Sequence, residues 1–251
     1  MERRNINDAH VHMGKSASIN RSLSEDGLLK LREKHGIENM TVMSLEQDIN
    51  SNNEKLASIC KRHRFVRGLV WVQKSQLHKD IRMIERGLGE DIIGAKFHGS
   101  FENAPVSSAQ YAPLMEMLND RQAVLLVHTG RYKDAAPESN TSYLHALQVA
   151  RTHPKIRVVM AHMGGSDTSV VKRALVDSKD VPNVYFDTSG ITTPYAIEYA
   201  LSVIDARRIL FGSDEPWCSF MSMYYNVADA QIDEKHKSMI LHDNYTTAIM
   251  T

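Results

Sequence analysis

The chain has 251 residues, 42% of them hydrophobic and 24% charged, and its thirty Lys and Arg balance thirty Asp and Glu. This composition excludes a disordered chain, and without excess positive charge neither nucleic acid nor an anionic membrane surface is an expected partner, so a small-molecule substrate is. Cys60 and Cys218 lie far apart, neither near a second cysteine at metal spacing, and Met1 to Asp8 lack the apolar stretch of a signal peptide. With no apolar run of about 18 residues either, a cytoplasmic protein is expected.

Short apolar, β-branched runs recur along the chain, each followed by turn residues and then by a stretch with apolar positions three and four apart. The runs 5–13, 37–45, 64–73, 92–98, 123–129, 157–163, 184–188 and 208–213 read as strands. The segments 24–35, 54–62, 77–87, 109–119, 142–152, 169–178 and 193–203 read as helices. This is the size and rhythm of a single (β/α)8 TIM barrel occupying residues 1–251, with an open doubly wound sheet as the alternative. No strand is followed by a glycine-rich dinucleotide or triphosphate cradle.

At least four of these strands finish in a metal-capable or titratable side chain, at the end where a barrel builds its active site. Strand one carries Asp8-Ala9-His10-Val11-His12, and alternation points His10 and His12 the same way, with Asp8 below them. Strand five ends at His128, strand six at His162 and strand eight at Asp214. Singly, each has an ordinary explanation: a hydrogen-bonded structural histidine, or an aspartate capping a helix. Their coincidence at equivalent positions points to a divalent metal site.

In these motifs, together with Gly94-Ala95-Lys96-Phe97-His98, Met160-Ala161-His162-Met163-Gly164-Gly165 and Phe211-Gly212-Ser213-Asp214, the chain resembles the amidohydrolase superfamily. Within it the resemblance is to the amidohydrolase-related branch that includes aminocarboxymuconate semialdehyde decarboxylase, and it spans nearly the whole chain. Asn244 looks like the Asn that often precedes the last helix in this branch. The resemblance implies that His10, His12 and Asp214 hold the principal metal, most often Zn2+, with His128 completing a mononuclear site. Asp214 would then accept a proton from the metal-activated water and pass it to the leaving group, and His162 would position that water or bind a second metal. Asp8 would either orient a ligating imidazole or make a structural hydrogen bond.

Lys96 shares its strand face with His98, and an ammonium beside a divalent cation must lose its proton, pair with an acid, or become a carbamate. In binuclear members of the superfamily a carboxylated Lys or a Glu bridges two metals from this strand. The preferred expectation is an unmodified Lys96 that contacts substrate beside His98. Arg131, Tyr132 and Trp217 follow the fifth and eighth strands and are further substrate candidates, as are Phe101, Gln73 and Lys74. Met221, Met223, Tyr224 and Tyr225 read either as an ordinary helix face or as a contact between subunits of a homo-oligomer.

The resulting expectation is a metal-dependent hydrolase attacking a C–N or C–O bond of an amide, lactone or ester in a small, acidic carbonyl compound. A decarboxylase or hydratase using the same residues is the first alternative, and a catalytically silent metal-binding barrel the second.

Overall fold

The computed structural model describes residues 5–131, 140–165, 167–193 and 195–250; Tyr132 lies outside them. The chain opens with β1 (Ile6–Ser16), β2 (Arg21–Leu23), α1 (Glu25–His35), β3 (Ile37–Ser44), α2 (Ile49–Arg62), β4 (Val66–Trp71) and α3 (Leu77–Gly87). It continues through β5 (Ile92–Phe97), α4 (Gly99–Glu102), α5 (Ala112–Asp120), β6 (Val124–Val127), α6 (Tyr143–Thr152), β7 (Arg157–Met160) and α7 (Thr168–Ser178). The last elements are β8 (Val184–Asp187), α8 (Ala196–Val203), β9 (Ile209–Leu210), α9 (Phe220–Ala228), α10 (Glu234–Ser238) and α11 (Asn244–Ile249).

The nine strands run in the order β2-β1-β3-β4-β5-β6-β7-β8-β9. Every pairing from β1 to β9 is parallel, and β2 is an antiparallel flap on the end of β1. The sheet closes on itself: Ala9 N–H donates to the Phe211 carbonyl, Asp214 N–H to that of His10, and His12 N–H to that of Glu215. Eight parallel strands with helices outside make the (β/α)8 barrel expected from the sequence, and closure leaves no edge but the short flap.

Strand alternation separates two apolar layers. Val42, Val70, Ala95, Phe97, Val158, Phe186 and Ile209 face the helices, while Met43, Leu69, Val124, Leu126, Val159 and Leu210 fill the barrel. Tyr245, Ala248 and Ile249 of α11 join the inner layer, and the Tyr245 hydroxyl lies 2.9 Å from Thr41 Oγ1. Asn244, at the start of that helix, donates from Nδ2 to the carbonyls of Ala206 and Ile209. Gly94 has φ +154°, and a Cβ there would stand 1.8 Å from the Val124 carbonyl oxygen, so β5 and β6 pair closely only because the side chain is missing.

Among the described residues no helix is long and apolar enough to cross a membrane. Met223 is buried, and its Sδ accepts the Gly190 N–H. It is a core residue, which removes it from the surface face considered for a subunit contact.

Candidate metal centre and active site

His10, His12 and Asp214 meet at the C-terminal mouth of the barrel, with one ligand atom of each lying within 4.8 Å of the others. The two Nε2 atoms are 3.1 Å apart, and Asp214 Oδ1 is 3.4 Å from that of His10 and 3.2 Å from that of His12. The other ring nitrogens fix the tautomers. His10 Nδ1 donates to Asp187 Oδ2 at 2.9 Å, and His12 Nδ1 donates to the Ser44 carbonyl at 2.7 Å. Rings whose Nδ1 protons are so held turn bare Nε2 lone pairs toward one point beside a carboxylate oxygen, an arrangement that repels itself until a cation sits between. The donor set therefore suits a divalent metal with two imidazoles and a carboxylate.

Electrostatics support this arrangement. Burial, reinforced by the Lys96 charge, pushes His10 down to about 4, keeping its ring neutral. Burial alone would raise Asp214, but the imidazoles of His10, His12 and His162 around it hold its carboxyl well below the usual range. The same contest, with His10 the main counterweight, leaves Asp187 at about 2. Burial lowers Lys96 to about 8 against the pull of Asp214 and Asp187.

The sequence reading missed Asp187. Besides orienting His10, its Oδ1 accepts the backbone N–H groups of His162 and Ser189. The available signal was its place at the end of a predicted strand, two residues after the inward-facing Tyr185. Of the two roles open to Asp8, the structural hydrogen bond is the one it has. A register shift between Asp8 and Val11 breaks the alternation of β1, and Asp8 Oδ1 accepts the N–H groups of His10 and Ser213 instead of an imidazole. Gly212 lets the two sides approach: a Cβ there would stand 3.0 Å from the His10 Cβ and 3.3 Å from that of Asp187.

Two of the expected site residues occupy left-handed backbone. His162 has φ 56° and Asp214 φ 55°, conformations that cost a non-glycine residue of order 1 kcal/mol and gather at functional sites. β7 stops at Met160, short of the expected strand end at 163, because the chain turns at Ala161–Gly164 and delivers the His162 N–H to Asp187. His162 Nδ1 faces the Ser189 carbonyl at 3.0 Å, and its Nε2 lies 3.2 Å from His128 Nδ1. His128 thus adjoins the His10–His12–Asp214 group through His162 and is not one of its three members.

One cavity of about 380 Å³ takes in the centre and is lined by His12, Lys96, His98, Phe101, His128, Arg131, His162, Asp214 and Trp217, all expected from the sequence. It is also lined by Trp71, Glu46, Ser18, Gly190 and Cys218. Gln73 and Lys74 are absent from this lining. Lys96 is almost wholly buried, while Ala95 and Phe97 pack outward, as alternation predicts. Trp71, His98 and His128 form a stack of nearly parallel rings, with centroids 5.7 and 3.9 Å apart and planes within 4° and 11°. Phe101 meets Trp71 and His98 edge-on, at 5.4 and 4.8 Å. Burial first, then neighbouring charges, holds His98 and His128 well below the usual histidine range. Burial and Asp214 push the Cys218 thiol up to about 12, so it offers no thiolate near neutrality.

Sequence comparison with curated proteins gives no match. Among solved structures, a 2,6-dihydroxybenzoate decarboxylase complexed with 2,6-dihydroxybenzoate superimposes with TM-score 0.77 at 16% identity, covering 99% of this chain and 100% of that one. The dihydroxybenzoic acid decarboxylase of Polaromonas sp. JS666, solved with manganese and 2-nitroresorcinol, gives 0.77 at 17% identity over 98% and 96% of the two chains. The 5-carboxyvanillate decarboxylase of Sphingomonas paucimobilis gives 0.75 at 13% over 98% and 99%. At these identities the likeness establishes the fold. The amidohydrolase family profile matches residues 8–244, from Asp8 before the paired histidines to Asn244 at α11, and the chain belongs to that family.

Proposed function

We propose that this protein is a metal-dependent carboxy-lyase that removes carbon dioxide from a small aromatic carboxylate. The observation that carries the reading is the stack of Trp71, His98 and His128 standing beside the His10–His12–Asp214 group in one cavity. A flat ring packs against such a wall while its carboxylate reaches the metal. The decarboxylases of similar fold, two of them solved with ring ligands, favour this reading over the hydrolysis that the strand-end motifs put first.

A divalent ion, Zn2+ by family resemblance or Mn2+ by analogy with the similar structures, would be held by His10, His12 and Asp214, with His128 beside them as the further ligand the resemblance adds. When bound it would fix substrate oxygens and stabilise negative charge developing on them. Lys96 and Arg131 offer positive charge to anionic substrate groups, and Trp217 adds apolar lining. His162, anchored by Ser189, positions the reacting end of the substrate.

Asp214 divides its carboxylate: Oδ1 faces the two imidazoles, while among the described residues Oδ2 has only the Cys218 thiol, 4.0 Å away. Oδ2 is the atom we assign to proton transfer. It takes a proton from solvent and passes it to the ring carbon that bears the carboxylate; the C–C bond then breaks, its electron pair returns to the ring, and carbon dioxide leaves.

The test is to incubate protein loaded with Zn2+ or with Mn2+ with a panel of hydroxylated benzoates, and in parallel with simple amides, esters and lactones. Carbon dioxide release with formation of the ring product sustains the proposal. Hydrolysis in the parallel set without carbon dioxide release would overturn it in favour of the hydrolase, and stoichiometric metal binding with no turnover in either set would favour the silent barrel.

A further inference from the structure

Glu46, in the loop after β3, lines the same cavity as the metal group and has no place in the proton transfer described above. Two hydroxyls hold it from one side. Ser16 Oγ and Ser18 Oγ, at the end of β1 and in the turn to β2, both donate to the same carboxylate oxygen, Oε1. Oε2 has no hydrogen-bond partner among the described residues, and Glu46 does not pair with Arg131, which lines the cavity three strand positions further round the barrel. A carboxylate that only stapled the β1–β2 flap would not need to line a substrate cavity with one oxygen left unpaired.

We infer that Glu46 is a specificity-determining residue whose Oε2 accepts a hydrogen bond from a donor group, a hydroxyl or an ammonium, on the substrate. The cavity then reads its ligand at separate points, with metal and cations for the carboxylate and an oriented anion for the donor substituent. An acceptor-only or anionic substituent at that point meets a carboxylate with nothing to share, and is rejected. The inference rests on the proposed aromatic carboxylate substrate but not on the fate of that carboxylate, so binding tests it apart from turnover.

The experiment measures dissociation constants of benzoate and of its para-hydroxy, para-aminomethyl and para-methoxy derivatives for the Mn2+-loaded wild type, Glu46→Gln and the Ser16→Ala/Ser18→Ala double variant. Glutamine keeps an oxygen for the two serines and replaces the second oxygen by an N–H donor. In the wild type the hydroxy or aminomethyl compound should bind at least roughly tenfold tighter than the methoxy compound, as expected for a charge-assisted hydrogen bond. The hydroxy and aminomethyl arms show which donor the site prefers. Glu46→Gln should remove that preference while leaving unsubstituted benzoate within about twofold, and the serine double variant should weaken the preference by less. A preference that survives Glu46→Gln would overturn the inference and leave the carboxy-lyase reading standing. Selective binding without carbon dioxide release from any compound would sustain the subsite and overturn the lyase, whereas failure of all four compounds to bind the wild type would overturn both.

Discussion

His10 and Asp187, 177 residues apart in sequence, meet with Nδ1 2.9 Å from Oδ2, both side chains closed off from solvent. The contact decides which nitrogen of His10 carries the proton, and so whether Nε2 has a lone pair for a metal. In Asp187→Asn the amide oxygen would still be claimed by the N–H groups of His162 and Ser189, leaving an NH2 toward His10. His10 would then accept through Nδ1 and carry its proton on Nε2. We expect the folded variant to bind Mn2+ or Zn2+ roughly 10- to 100-fold more weakly, measured by competition with a chelator. Wild-type affinity would show that Asp187 does not set the tautomer.

Replacing Asp214 itself separates proton transfer from metal binding. Asp214→Asn retains an oxygen toward His10 and His12 but cannot carry the proton at Oδ2. Turnover should be abolished while most metal remains, so loss of kcat exceeds loss of metal content measured on the same preparation. Near-normal turnover would remove Asp214 from the chemistry. A His10→Ala/His12→Ala double variant should instead lose the metal altogether.

Arg131 lines the cavity from the exposed mouth of the barrel, directly after Gly130, where β6 hands over to its loop. If it meets an anionic group of the substrate, Arg131→Met should raise the dissociation constant of a benzoate roughly tenfold or more, with metal content unchanged. Unchanged binding would make Arg131 a solvent-facing residue of the rim.

Much of this centre was legible because strand alternation and strand ends are local properties. Eight strands were readable from apolar runs, and Lys96 could be pointed inward from its neighbours Ala95 and Phe97 alone. What escaped depends on breaks in that local rule or on contacts across the barrel. The register shift after Asp8 turns its carboxylate away from the imidazoles, and no side-chain pattern announces such a shift. The tie from Asp187 to His10 exists only once the barrel closes. β2 is three residues long and mostly exposed, too short to show an alternation, so the flap that holds Glu46 gave no signal either.

Asp80, on α3 and away from the metal group, allows the charge reasoning to be tested without metal. Its Oδ2 accepts the Gln73 N–H at 2.9 Å, and burial raises its carboxyl from 3.8 to about 6 despite that bond. The folded protein therefore holds this proton more tightly than the unfolded chain, in which the group titrates near 4. Asp80 accordingly stabilises the fold most when protonated, and its contribution declines as pH rises from about 4 to about 6, by at most ~3 kcal/mol, and is constant above. Asp80→Asn keeps an acceptor for Gln73 and removes the titration. Relative to wild type, the variant should gain stability between pH 4 and pH 7, read from urea midpoints at the two values on matched samples. Parallel pH profiles for the two proteins would show that Asp80 titrates normally in the fold, and that its burial carries no electrostatic cost.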